Sequence, residues 1–173
     1  MNLEHFKKMA HSPLRNYALP GVTSYLIGER AKNGSMMRLF HSDRVQVMAV
    51  TPHSHRYDFE AHVIQGQVRN RIWRLDINGD PYRIIELEYL GRPGNYKKTD
   101  GSVDQWSFAD KDYVRGDSYG MAYNQVHSIY FARDTWVLVA EGPTVASTSF
   151  IIEPVVDGET IETSKTESWM FQH

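Results

Sequence analysis

Thr51-Pro52-His53-Ser54-His55, followed by Glu60, His62 and Val63-Ile64-Gln65-Gly66, is the stretch on which the reading of this chain turns. Side chains on an extended strand alternate faces with period two, so two His separated by one residue point the same way and can grip one metal ion. Glu60 and His62 share one parity on the next segment, and Gly66 suits the tight turn that ends it. Much further along come Gly116 and Asn124-Gln125-Val126-His127, opening a strand that continues Ser128-Ile129-Tyr130-Phe131.

Around these motifs the chain reads as mostly β. Leu3, Phe6 and Met9 recur at helical spacing and predict a short helix over residues 3–10, ending before Pro13. From about residue 22, short segments rich in Val, Ile, Tyr, Phe and Trp predict strands at Thr23–Ile27, Met36–His41, Arg44–Val50, Glu60–Ile64, Gln67–Leu75, Tyr82–Leu90, His127–Ala132, Thr135–Ala140 and Ser147–Glu153. Turn chemistry separates them at Lys32-Asn33-Gly34, Asn78-Gly79-Asp80-Pro81, Gly91-Arg92-Pro93-Gly94-Asn95 and Asp157-Gly158. The Asn-Gly at 78–79 predicts a hairpin joining Val68–Leu75 to Tyr82–Leu90. Residues 92–115 are polar and read as an inserted loop with one strand at Gln105–Phe108. Many short strands with frequent turns imply a sandwich or barrel. In the polar tail, Trp169-Met170-Phe171 is a candidate contact with the body or with a second copy in a homodimer.

Composition narrows the chemistry. With 19 Lys and Arg against 21 Asp and Glu, the formal charge is −2, so no basic field exists to hold a nucleic-acid backbone. The chain has no Cys, which removes thiolate nucleophiles, zinc ribbons and iron–sulfur clusters and leaves His, Asp and Glu as the strong metal ligands. Its 41% hydrophobic residues, ten Tyr and four Trp, with a mean hydropathy of −0.50, describe a folded soluble protein, and residues 1–173 are read as one domain. No run approaches the roughly 18–20 apolar residues of a membrane helix, and Met1–Lys8 lacks the apolar core of a signal peptide; no membrane partner and a cytoplasmic location are expected. Gly-x-Ser-x-Gly and the glycine-rich phosphate loops are absent, which argues against serine hydrolases and nucleotide enzymes.

His53-Ser54-His55, four residues, Glu60 and Gly66, with Gly116 and His127 at a matching separation, resemble the two motifs of the cupin superfamily. The resemblance covers about residues 36–153. Five residues separate Glu60 from Gly66 where six are usual, Val47 stands where a Gly usually precedes the His pair, and Ala122 and Asn124 replace Pro and Gly of the second motif. Asn tolerates a left-handed turn best after Gly. The resemblance implies an all-β, cupin-type double-stranded β-helix, a jelly-roll barrel, carrying a divalent ion on His53, His55 and His127. Counting forward from His55 puts Glu60 at the acidic ligand position; counting back from Gly66 puts Phe59 there. On the second count the three His hold the ion alone, as in three-His cupin dioxygenases.

Neutral imidazoles in such a cup suit Fe(II), Ni(II), Zn(II) or Mn(II). The expected function is an Fe(II) dioxygenase of a small organic substrate; the alternatives are a non-redox isomerase or lyase acting on a sugar or keto acid, or a non-catalytic small-molecule-binding barrel. If not a ligand, Glu60 is a candidate base or a partner for a ligand ring, and His62 is a further candidate near the ion. Of Tyr57, Tyr119, Tyr123 and Tyr130, which lie close in sequence to these residues, Tyr130 is the candidate donor to bound substrate. Either Arg69, Arg71 and Trp73 or Val68, Asn70 and Ile72 face the cup, and an inward Arg would clamp a carboxylate. His5, His11, His41 and His173 carry no spacing signal and are read as surface residues.

Overall fold

The computed structural model describes residues 1–46, 48–90 and 95–155. The Asn2 side chain accepts hydrogen bonds from the backbone N–H groups of Glu4 and His5 at 3.1 and 3.4 Å and so caps helix α1 (Leu3–Met9). Ten strands follow: β1 (Ala10–Arg15), β2 (Val22–Ile27), β3 (Met36–Ser42), β4 (Phe59–Gln65), β5 (Gln67–Tyr89), β6 (Tyr96–Val114), β7 (Ser118–Met121), β8 (Val126–Phe131), β9 (Thr135–Glu141) and β10 (Thr148–Pro154). One antiparallel sheet runs β1-β2-β3-β9-β4-β7, and the other runs β10-β5-β6 with β8 paired to β5. The all-β architecture with one short helix is therefore the one the sequence predicts.

The sheets face each other across a core that includes Leu19, Val22, Ala61, Val63, Val68 and Val137. On the far face of the six-stranded sheet, Ile27, Leu39, Ile64 and Leu138 are covered by Leu3 and Phe6 of α1, which explains the helical spacing of those two residues. Among the described residues, no helix is long and apolar enough to cross a membrane.

Four expectations need correction. No strand forms over the described part of Arg44–Val50: Gln46 and Val50 donate to Phe131 and Ile129 of β8 at 3.0 and 3.2 Å, four residues of one chain against two of the other, which no regular ladder sustains. The Asn78-Gly79 hairpin is absent too. Leu75 and Asp80 both pair with Trp106, so Asp76–Gly79 bulges out of one long β5, and a Cβ on Gly79 would collide with the Trp106 backbone. The segment read as a loop over 92–115 forms strand β6 from Tyr96 to Val114, paired along β5. Its polarity misled because one flank is solvated and ion pairs cross the ladder: Arg69–Asp112 and Arg71–Asp110 at 2.7 Å, Arg83–Asp100 at 3.7 Å. Finally, β1 and β7 were not expected; both are edge strands, where Pro13 and a four-residue length are tolerated. Val47, most of the 91–95 turn, Asp157-Gly158, His173 and Trp169-Met170-Phe171 lie outside the described residues.

Gly66 sits between β4 and β5 at φ +81°, where a Cβ would collide with Thr135. Gly116 has φ +97° but open space around it. Gly66→Ala is therefore expected to lower the urea midpoint more than Gly116→Ala, which faces only the backbone strain of about 1–3 kcal/mol.

Candidate metal centre

His53 occupies a notch in the second sheet. It forms isolated antiparallel bridges with His127 of β8 and with Ile151 of β10. Its N–H donates to the His127 carbonyl at 2.9 Å and the His127 N–H returns the bond at 2.9 Å. His55 is anchored by donation from its backbone N–H to the Tyr123 carbonyl at 2.9 Å. These bonds bring residues distant in sequence together: ring centroids lie 4.8 Å apart for His53–His55, 4.9 Å for His53–His127 and 5.1 Å for His55–His127. One nitrogen from each ring lies within 4.8 Å of the others.

Hydrogen bonding sets the tautomers. A carbonyl oxygen can only accept, so His53 Nδ1 carries the proton it donates to the Thr51 oxygen at 2.7 Å. His127 Nδ1 donates to Asn70 Oδ1 at 2.8 Å. In both rings Nε2 is left as a lone pair, and His127 Nε2 stands 3.0 Å from His55 Nε2. Metal–nitrogen bonds of about 2.1 Å place neighbouring ligand nitrogens about 3 Å apart, so this separation fits a shared cation. Burial holds all three imidazoles below their ordinary pKa, and mutual repulsion adds to it, driving His55 and His127 well below. Neutral rings are the form that binds metal. The donor set therefore suits a divalent ion.

Whether Glu60 can be a fourth ligand is decided by which face of β4 its pairing turns to the core. Phe59, Ala61 and Val63 face the core, while the Glu60 side chain is 60% exposed, with its carboxylate 3.5 Å from His62. Glu60 is thus turned away from the three His as ligand or base, and the Phe59 ring lies 4.8 Å from His55 and 5.7 Å from His127. His62 shares the outer face and bonds Ser118 Oγ at 2.5 Å. The same alternation removes Tyr130: His127, Ile129 and Phe131 line the cavity, whereas Tyr130 lies on the other face of β8, near Arg71. Arg69 and Arg71 point outward to Asp112 and Asp110, each through two hydrogen bonds. Tyr123 is exposed. Tyr119 is buried and packs on Tyr113, its phenol pushed up by burial. Asn124 does not take the left-handed turn conformation open to it. His5 and His11 are exposed, and His41 stacks on Trp136 at 4.0 Å.

Three residues matter more than the sequence signalled. Asn70 is 1% exposed and holds the His127 ring; its one sequence signal is an amide between the apolar Val68 and Ile72. Replacing it by Ala is expected to lower metal affinity about 10–100-fold, measured by competition with a chelating dye. Arg38 and Glu141 form a buried ion pair at 3.2 Å, with side chains 11% and 5% exposed. The Tyr57 phenol and the Glu141 carboxyl interact, which raises the pKa of the first and lowers that of the second, and the Tyr57 ring lies 5.4 Å from His55. Burial pushes the Glu141 carboxyl up against the pull of Arg38 and the Tyr57 phenol well up. These groups and the three His share one cavity of about 240 Å³, whose remaining walls include Leu19, Val22, Val50, Ile129, Phe131 and Val137.

No protein-family model matches the sequence, and no curated protein matches it. Solved structures do resemble it. The Lactobacillus farciminis oxalate decarboxylase formate complex aligns at 16% identity and TM-score 0.47 over 82% of this chain and 32% of that one. KdgF from a Halomonas species aligns at 15% and 0.40 over 85% and 89%, and the Drosophila melanogaster CENP-C cupin domain at 9% and 0.42 over 76% and 74%. The chain thus spans about a third of the oxalate decarboxylase it matches. These neighbours include a cupin domain, the fold that the two sequence motifs predict, but every TM-score is below 0.5 and the likeness adds no argument to the two-sheet fold and the three imidazoles described above.

Proposed function

We propose that this protein is an Fe(II)-dependent oxygenase of a small organic molecule, with the ion on His53, His55 and His127. The observation that carries this reading is a ligand set of three buried imidazoles with Phe59 beside them and, among the described residues, no carboxylate in the group. Such a set neutralises none of the ion's charge and leaves coordination positions open. Once bound, the metal would supply a centre at which substrate and dioxygen meet side by side. The protein's own part is positional. Thr51 and Asn70 fix two rings through Nδ1, Phe59, Ile129 and Val137 give the cavity apolar walls, and Glu141 and Tyr57 place two protonatable groups at its polar end.

The test is oxygen uptake by the Fe(II)-loaded protein against a panel of small organic acids, sugars and keto acids. Uptake that requires Fe(II) and disappears in His53→Ala is the expected result. Anaerobic turnover with Zn(II) or Mn(II) would instead make the centre a Lewis acid for an isomerase or lyase. Ligand binding without turnover would make it a binding barrel.

A further inference from the structure

The walls of the cavity carry a charge opposite in sign to that of the chain. The whole sequence has a formal charge of −2, yet among the described residues the groups lining the cavity that are charged at neutral pH, His aside, are Arg30, Arg38 and Arg56 against the carboxylate of Glu141. A divalent ion on the imidazoles would add to that excess. Against low-dielectric walls such an imbalance is costly unless an anion enters.

The guanidinium groups are also left under-satisfied. Arg38 Nη1 donates to Ser24 Oγ at 3.1 Å, but its buried Nε makes no well-aligned hydrogen bond although Glu141 Oε1 is 3.2 Å away. Arg30, exposed at the rim, reaches Met36 Sδ at 3.5 Å, and Arg56 lies over the Tyr89 ring at 4.1 Å. Among the described residues neither has a carboxylate within ion-pair distance. On the outer face of the other sheet, by contrast, Arg69 and Arg71 are each gripped through two bonds by an aspartate. Arg30 and Arg56 present guanidinium forks without a carboxylate at the cavity wall, and Arg38 meets its one carboxylate, Glu141, through a poorly aligned Nε; such groups are suited to receive an incoming acid.

From this we propose that the cavity takes a small organic carboxylate, its acid group held by Arg38 with Arg30 and Arg56 while its other end reaches the three imidazoles. The inference rests on the metal-centre reading and adds its substrate class. A volume of about 240 Å³ is below the roughly 300–1,000 Å³ of pockets for drug-sized ligands, which limits the acid to a few carbons.

The experiment titrates aliphatic mono- and dicarboxylates of two to six carbons into metal-free and Zn(II)-loaded protein by calorimetry, with the matching amides as neutral controls and inorganic phosphate as a competing oxyanion. At least one acid is expected to bind about tenfold or more tightly than its amide, and Arg30→Gln with Arg56→Gln to weaken it about tenfold. Arg30 touches the core at Met36 Sδ and Arg56 packs on Tyr89, so Zn(II) content and the urea midpoint serve as the checks on folding. Arg38→Gln combined with Glu141→Gln, which leaves no orphaned buried charge, is expected to lose the preference for acid over amide. Equal binding of acids and amides, binding of phosphate alone, no binding by any acid, or binding indifferent to both sets of substitutions would overturn the proposal. Because neither Zn(II) nor the metal-free protein consumes oxygen, a failed oxygen assay leaves this result readable. Failure of Zn(II) to bind would strike the metal centre and not the arginine dependence seen in metal-free protein.

Discussion

His127→Ala is expected to reduce affinity for a divalent ion by more than about 100-fold. Removing a hydrogen-bond partner of a metal ligand already costs about 10–100-fold, and this substitution removes the ligand itself. His127 is 3% exposed and supplies the nitrogen that approaches His55 Nε2 at 3.0 Å. Its loss also leaves buried Asn70 Oδ1 without its donor, a further destabilisation of about 1–3 kcal/mol. The backbone bridge to His53 survives, so the variant should fold with a lowered denaturation midpoint and a nearly empty site. Glu60→Gln is the matched control: its side chain is 60% exposed on the outer face of β4, and its metal content should equal that of wild type. Equal metal affinity in His127→Ala and wild type, measured by titration against a competing chelator, would sink the site.

The second large effect is on pH dependence. In the unfolded chain each imidazole takes up a proton as pH falls through about 6.5. In the folded protein burial keeps His53, His55 and His127 neutral to lower pH. The unfolded state therefore binds more protons, and the stability of the metal-free protein is present above pH 6.5 and lost as pH falls below it. Each ring held neutral contributes at most about 1.4 kcal/mol per pH unit until its own folded pKa is reached, so the loss is steepest where all three remain neutral in the fold. His41, whose pKa burial also lowers, acts in the same direction. Urea midpoints in chelator at pH 7.5 and 5.5 measure this directly. The Glu141 carboxyl, pushed up by burial, opposes this trend, so the comparison is repeated in Arg38→Gln with Glu141→Gln; a midpoint that holds or rises on acidification there would show that the three rings are not buried neutral together.

Short-range pattern carried much of this protein. Period-two alternation is a property of any extended chain, so His53 and His55 could be placed on one face without knowing what lay opposite. The turn at Gly66 and the apolar stripe of α1 were legible for the same local reason. Alternation read strictly along β8 also separates Tyr130 from His127, an exclusion available in the sequence that the closeness of Tyr130 in numbering obscured. The long β5–β6 pair was hidden because cross-strand ion pairs between residues about 40 apart stand in for the apolar alternation by which strands are recognised.

Tertiary pairing alone chose between Phe59 and Glu60. A shift of one residue exchanges the two faces of a strand, and the choice was made by β4 pairing with β9, which sets Phe59 opposite Glu141. The partners that give the centre its tautomers and the cavity its charge come from other strands: Asn70 from β5, Arg38 from β3 and Glu141 from β9. What the chain determined by itself was which residues could act together along a strand. Which strands face one another, and hence which acid, amide and guanidinium meet the imidazoles, depended on burying apolar faces between two sheets, a constraint that no single stretch of sequence contains.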